Sequence, residues 1–176
     1  MPKIYLSPST QEFNLYQNTG SEEYWMNQIA DAMEPYLQAS GIEYVRNHPD
    51  GTVVDSIAQS NLSRYGMHLA LHSNASPEGM EGLLRGTDIF YRPGDDPNAL
   101  LLAEVLQTHS PAVLVEIAYH DNPQDAQWIQ QNIQAIAENL VRSLCIYFGI
   151  PFALPQPVRE GRVNTGGANL NIRSMP

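Results

Sequence analysis

This chain is poor in cysteine, in basic residues and in long apolar runs. Its single cysteine, Cys145, excludes an internal disulfide and any cysteine-based metal cluster. Cys145 sits within an apolar helical pattern, where a lone thiol acts as a small core side chain. Lys plus Arg number 9 against 19 Asp plus Glu, a net charge of −10. Such an acid excess argues against nucleic acid as a partner and against anionic membrane surfaces. The apolar runs are too short to span a bilayer. The first residues, Met1 to Pro8, hold no long apolar segment with a cleavage site, so no signal peptide is expected. What the chain does have is 176 residues that are 43% hydrophobic, enough for one domain with a proper core plus a short appendage.

The chain is organised around Leu69-Ala70-Leu71-His72-Ser73-Asn74-Ala75. An apolar run enters from Met67 and ends by presenting an imidazole, followed by the turn-forming Ser73, Asn74, Ser76, Pro77 and Gly79. A buried strand that stops at a pocket reads this way. A second run, Pro111 to Ile117, ends the same way on the carboxylate of Glu116. Around them, strands are expected at 3–6, 42–45, 67–71, 87–91 and 112–117. Helices are expected from Ser21 to Gly41, over 53–62 with Val54, Ile57, Ala58 and Leu62 on one face, over 99–106, and as one long helix from Gln124 to Tyr147. Ser21 is a good N-cap with Glu22 and Glu23 in the first turn, and Pro35 is a site for a kink. The alternation predicts an α/β fold, a mostly parallel twisted sheet with helices on both faces in three layers. Residues 1–150 form the main domain. Residues 151–176, with Pro151, Pro155 and Pro157, form a linker and tail.

In a parallel sheet the carboxyl ends of strands and the starts of the following helices share one edge, where ligands bind. That edge gathers Ser7 to Gln11, Glu22 or Glu23, His72 to Asn74, Glu116 and His120. Imidazole and carboxylate with open positions are the makings of a catalytic zinc site. The plainer alternative is a satisfied core histidine and a buried ion-pair carboxylate. His68 lies about 13 Å from His72 along the strand, which points to a structural role, and His48 and His109 read as surface residues.

The segments Leu71-His72-Ser73-Asn74-Ala75 and Pro111 to Pro123, with Glu116 and Asn122, resemble two signatures of the zinc-dependent N-acetylmuramoyl-L-alanine amidases. The resemblance covers roughly residues 3 to 150. It implies a peptidoglycan hydrolase that cuts the amide between N-acetylmuramic acid and L-alanine of the stem peptide. His72 matches a zinc-ligating His of that family and Glu116 its catalytic Glu. The ligating Glu opens the first long helix and falls on Glu22 or Glu23. Glu22 is favoured because it lies two turns before Ile29, on the side of the buried stripe.

Two departures accompany the resemblance. The family carries its first His after strand one, where this chain reads Ser7-Pro8-Ser9-Thr10-Gln11, a pattern that opens one branch of the family. Gln11 is then the third metal donor through its amide oxygen, weaker than imidazole. The segment from Ala103 to Pro111 is also shorter than in the family. The tail at Arg162 to Ser174 resembles the opening of a bacterial Src-homology-type barrel, with too few strands to close. The expectations are therefore Zn2+ as cofactor, Glu22, His72 and Gln11 as its ligands, Glu116 as catalytic acid–base, Asn74 on the stem peptide, peptidoglycan as partner, a monomer, and action at the cell wall outside the cell after release by lysis, as an autolysin or endolysin. The competing readings are an amidase-like module that binds peptidoglycan without turnover, and a different zinc hydrolase, a peptidase or deacetylase, on the same architecture.

Overall fold

A computed structural model describes residues 1–91, 105 and 107–156. Five strands form one sheet: β1 (Lys3–Pro8), β2 (Glu43–Arg46), β3 (Met67–Asn74), β4 (Asp88–Tyr91) and β5 (Ala112–Tyr119), in the order β2-β1-β3-β5-β4. β2, β1, β3 and β5 run parallel, and β4 closes the edge antiparallel to β5. Among the described residues four helices are delimited: α1 (Glu22–Ala39), α2 (Val53–Asn61), α3 (Pro123–Gln131) and α4 (Ile133–Phe148). The α/β expectation therefore holds. The expected helix at 99–106 falls almost wholly outside the described residues, as does the tail from residue 157.

The alternation of side chains along the strands divides the molecule. Ile4 and Leu6 of β1, Leu69 and Leu71 of β3, and Val115 and Ile117 of β5 face the same way. They meet Met26, Ile29, Met33 and Leu37 of α1, Ile129 of α3 and Val141 and Cys145 of α4 in the main core. The intervening residues, Tyr5, His68, Ala70, His72, Leu114 and Glu116, belong to the opposite face, where α2 meets Tyr5 and His68 and Val105 packs with Ala70 and Leu114. That face is polar where α2 meets it. Tyr5 Oη donates to Gln59 Oε1 at 2.7 Å, and His68 Nδ1 lies 2.9 Å from Ser60 Oγ.

Two element expectations are corrected. First, α2 buries Ser56, Ile57 and Ser60, while Val54 and Leu62 are 68% and 84% exposed. Polar partners on β1 and β3 select a polar helix face over the apolar one. Second, the long final helix is two helices. Asn132 leaves helical geometry at φ −121°, ψ 18°, its side chain donates to Trp128 O at 2.8 Å, and its carbonyl accepts from Ile136 N at 2.9 Å. One residue thus ends α3 and starts α4. The first helix runs as expected: the burial of Met33 and Leu37 on either side of Pro35 holds it through to Ala39.

Candidate active site

The site is assembled at the carboxyl edge of the sheet, on the α2 face. β3 does not end at Leu71 but continues to Asn74, because β5 keeps pairing with it, through a register shift between His72 and Asn74. His72 and Glu116 are register partners on adjacent strands, and Asp88 of β4 is the register partner of Glu116 on its other side. Asp88, Glu116 and His72 therefore form a row across three strands on one face, with about 5 Å between neighbouring Cβ atoms expected of such pairs.

Glu22 reaches this row from the first turn of α1. Ser21 caps the helix by accepting from Tyr24 N at 3.2 Å, and the Glu22 backbone N–H donates to Asn14 O at 2.8 Å. The Glu22 side chain is 1% exposed, and its Oε1 lies 2.8 Å from His72 Nδ1. Asn14 Nδ2 donates to Glu22 Oε2 at 2.7 Å and to Gln11 Oε1 at 2.8 Å, while Gln11 Nε2 lies 3.3 Å from His72 Nδ1. A carboxylate can only accept, so the Asn14 atom facing Glu22 is its nitrogen and the Gln11 atom facing Asn14 is its oxygen. Gln11 therefore turns its NH2 group toward His72. A single Nδ1 serves one partner, and the shorter contact assigns it as a donor to Glu22.

Two carboxyls at this edge titrate in opposite directions. Burial pushes Glu22 up, but hydrogen bonds from His72, the His72 charge and the hydrogen bonds from Asn14 and Ser9 outweigh it, and the net shift is down. Burial pushes Glu116 up to about 7; the His72 charge opposes this, and Glu22 and Asp88 reinforce it. Glu116 Oε2 is buried with no hydrogen-bond partner. A carboxyl poised near neutrality in a cleft is what proton transfer requires.

Each sequence-derived site residue has a definite place. Glu22, His72 and Gln11 converge; Glu23 lies beside them on the more exposed side of α1. Asn74 donates through Nδ2 to Asp88 Oδ2 at 3.1 Å and accepts from Ala75 N at 2.9 Å through Oδ1. Tyr119 Oη donates to the same Asp88 oxygen at 3.2 Å. His120 is buried and held through Nδ1 by Ser73 O at 2.9 Å, stacked on Tyr16 at 5.6 Å. A carbonyl accepts only, so that bond places a proton on Nδ1. Sequence reasoning missed Asn14 and Asp88. Asn14 lies in a polar loop with no motif, and the role of Asp88 depends on the register of an antiparallel edge strand.

The residues able to hold a metal are Glu22 and His72, with the Gln11 amide as third donor. No group of three His, Cys, Asp and Glu comes together for a metal among the described residues. In charge and donor type the cluster fits a dication. The Glu22 and Asp88 carboxyls both act on Glu116 across the site, against one imidazole, and one buried oxygen of Glu116 has no partner. To offer oxygen, the Gln11 amide must turn over and give up its bond from Asn14.

A cleft of about 460 Å³ opens at His72 and Glu116 and runs past Ser9 and Gln11 to Asn47, Val53 and Ser56 of the α2 end.

No family model matches this chain, and no curated protein matches it by sequence. Solved structures do match its fold. An N-acetylmuramoyl-L-alanine amidase from Clostridium difficile 630 superposes with a TM-score of 0.69 at 17% identity, over 84% of this chain and 97% of that one. The amidase Ami1 from Mycobacterium smegmatis gives 0.69 at 16% over 84% and 97%. The catalytic domain of the CD27L endolysin, which targets Clostridia difficile, gives 0.62 at 14% over 83% and 98%. At these identities the likeness is one of fold.

Proposed function

We propose that this chain is a peptidoglycan hydrolase that cleaves the amide between N-acetylmuramic acid and L-alanine of the stem peptide, at the cell wall and after release by lysis. The observation that carries the reading is the convergence of Glu22 and His72 beside Glu116, at the carboxyl edge of a sheet shared with solved amidases. Glu22, His72 through a ring nitrogen that has lost its proton, and Gln11 through its amide oxygen would hold zinc. When bound, zinc would supply a Lewis acid for the amide carbonyl and lower the pKa of water.

The chain's own groups do the rest. Glu116, whose pKa is raised to about 7, takes a proton from the attacking water in its ionised form and returns it to the departing amine. The C–N bond breaks as the C–O bond forms, leaving a lactyl carboxylate on the sugar and a free amino terminus on alanine. Before zinc binds, His72 is kept in one orientation by Glu22, and Glu22 by Asn14. Asn74, fixed by Asp88, stands on the β4 side as a wall for the stem peptide.

Digestion of purified sacculi tests the reading. The expected result is new L-alanine amino termini with no new glycan reducing ends, and zinc retained by the protein. New reducing ends, or new amino termini at another residue, would assign a different hydrolase. A second reading, a module that binds peptidoglycan without turnover, is favoured by the orientation of Gln11, which presents nitrogen where the family has an imidazole. It predicts retention on sacculi with no released termini.

A further inference from the structure

The loop of residues 9–21 joins β1 to α1 and carries Gln11 and Asn14, whose amides meet His72 and Glu22. Ordering a loop with no strand or helix of its own costs conformational entropy, so something must hold it. Asn18 and Gln130 exchange hydrogen bonds of 2.9 and 2.8 Å, but these are exposed, and such bonds add little net stability in water. Phe13 and Leu15 are 77% and 70% exposed. Tyr16 is the loop's one buried apolar side chain, 5% exposed, and it joins the main core.

The Tyr16 ring stacks on His120, with 5.6 Å between centroids and 23° between planes, and meets Trp25 of α1 at 6.2 Å. His120 is itself fixed at the ends of two strands. Its Nδ1 donates to Ser73 O at 2.9 Å, its backbone N–H donates to Asn74 O at 2.9 Å, and its carbonyl accepts from Gln17 N at 3.4 Å. From the end of β5, His120 thus ties the loop to the end of β3. Tyr16 Oη lies beside the Ser73 side chain and in the field of Glu22 and Glu116, yet it is buried without a partner in hydrogen-bonding geometry. The phenol oxygen therefore contributes little, and the anchor is the ring. Aromatic contacts add to what burial alone provides.

We propose that Tyr16 and His120 are positioning residues for the cluster of Gln11, Asn14, Glu22 and His72. Their stacked rings brace the loop against the ends of β3 and β5, and the braced loop holds Asn14 on Glu22 and so Glu22 on His72. Neither ring touches the reacting groups; both act through the loop. The inference rests on the zinc reading of that cluster for what the brace serves. Partners behind metal ligands set their orientation, and losing one weakens metal binding about tenfold or more.

The test uses the isotope-labelled full chain and two readouts. The first is the tautomer of His72 in the metal-free protein at about pH 8, from long-range nitrogen–proton NMR of the histidine rings. The second is zinc affinity by competition with a chromophoric chelator. The wild type should hold His72 with its proton on Nδ1. Tyr16→Leu, which removes the ring and keeps apolar bulk, should mix the His72 tautomers and weaken zinc about tenfold. Tyr16→Phe, which restores the ring, should return both readouts to wild-type values. Val141→Ala, a cavity in the α4 part of the same core, should lower stability and leave both readouts alone. Where Tyr16→Leu does not fold, His120→Leu removes the other ring and carries the same expectation. Wild-type readouts in the ring-deleted variant would overturn the brace, as would an equal loss in Val141→Ala or a loss in Tyr16→Phe. The two readings fail separately. A wild type that binds no zinc removes the zinc reading and leaves the His72 tautomer to decide the brace. Zinc bound equally well with an unchanged tautomer in Tyr16→Leu keeps the zinc reading and removes the brace.

Discussion

Two carboxylates stand at one sheet edge under opposite conditions. On the β1–α1 side, Glu22 is nearly inaccessible yet surrounded by donors, His72 at 2.8 Å and Asn14 at 2.7 Å, and stays ionised. On the β5–β4 side, Glu116 has a buried oxygen with no partner and two acidic neighbours, and holds its proton up to about pH 7. Burial acts on both in the same sense; partners decide the outcome. The first arrangement builds a rigid pair, and the second keeps a proton ready to move. A protein that needed only a stable edge would have no use for Glu116 as it stands.

Breaking the first pair should give the largest effect. Glu22→Ala leaves His72 and Asn14 without their acceptor, and should cost about 3–5 kcal/mol in a denaturant titration at pH 7. Because the folded pKa of Glu22 lies below its unfolded value, its contribution is complete above the unfolded pKa and is lost as pH falls through the folded one. The wild type and the variant should therefore converge at acid pH. Equal differences at all pH values would contradict the pairing.

The opposite sign is expected at Glu116. Its folded pKa is raised to about 7, so ionisation destabilises the fold increasingly from the unfolded pKa up to about 7 and constantly above. With a chelator present at pH 8, Glu116→Gln should stabilise the protein by up to about 3 kcal/mol. At pH 4 it should be near neutral. A destabilised variant at pH 8 would mean that Glu116 is an unrecognised ion-pair member.

The sequence carried the fold class and the strands that present His72 and Glu116 because they are local signals, apolar runs and a capped acidic helix start at Glu22; it placed the strand ends too early, since β3 runs on to Asn74 and β5 to Tyr119. It did not carry partner identity. Asp88 acquires its role from the register Asp88↔Glu116, a long-range pairing. Asn14 acquires its role from a loop that folds back over α1. The face of α2 was misjudged for the same reason: Ser56 and Ser60 are buried because Asn47 and His68 across the interface need polar partners. The break at Asn132 was hidden because helical periodicity runs through it, and only its backbone geometry marks the turn.

Smaller changes sharpen the comparison. Gln11→His supplies an imidazole where an amide now turns its nitrogen to His72, and should tighten zinc binding about tenfold or more, by competition with a chromophoric chelator, since imidazole is the better ligand. Unchanged affinity would remove Gln11 from the metal site. Leu62→Ala, at a residue 84% exposed, should change stability by no more than about 0.5 kcal/mol. A larger loss would mean that this end of α2 is covered.

The most direct test of the central claim is Glu116→Gln, measured for zinc content and amide cleavage on one sample. The expected result is a folded protein with its zinc retained and a cleavage rate lowered about a hundredfold or more, the scale of a positioned acid–base group. Loss of zinc together with activity would make Glu116 a ligand, and an unchanged rate would remove it from the chemistry.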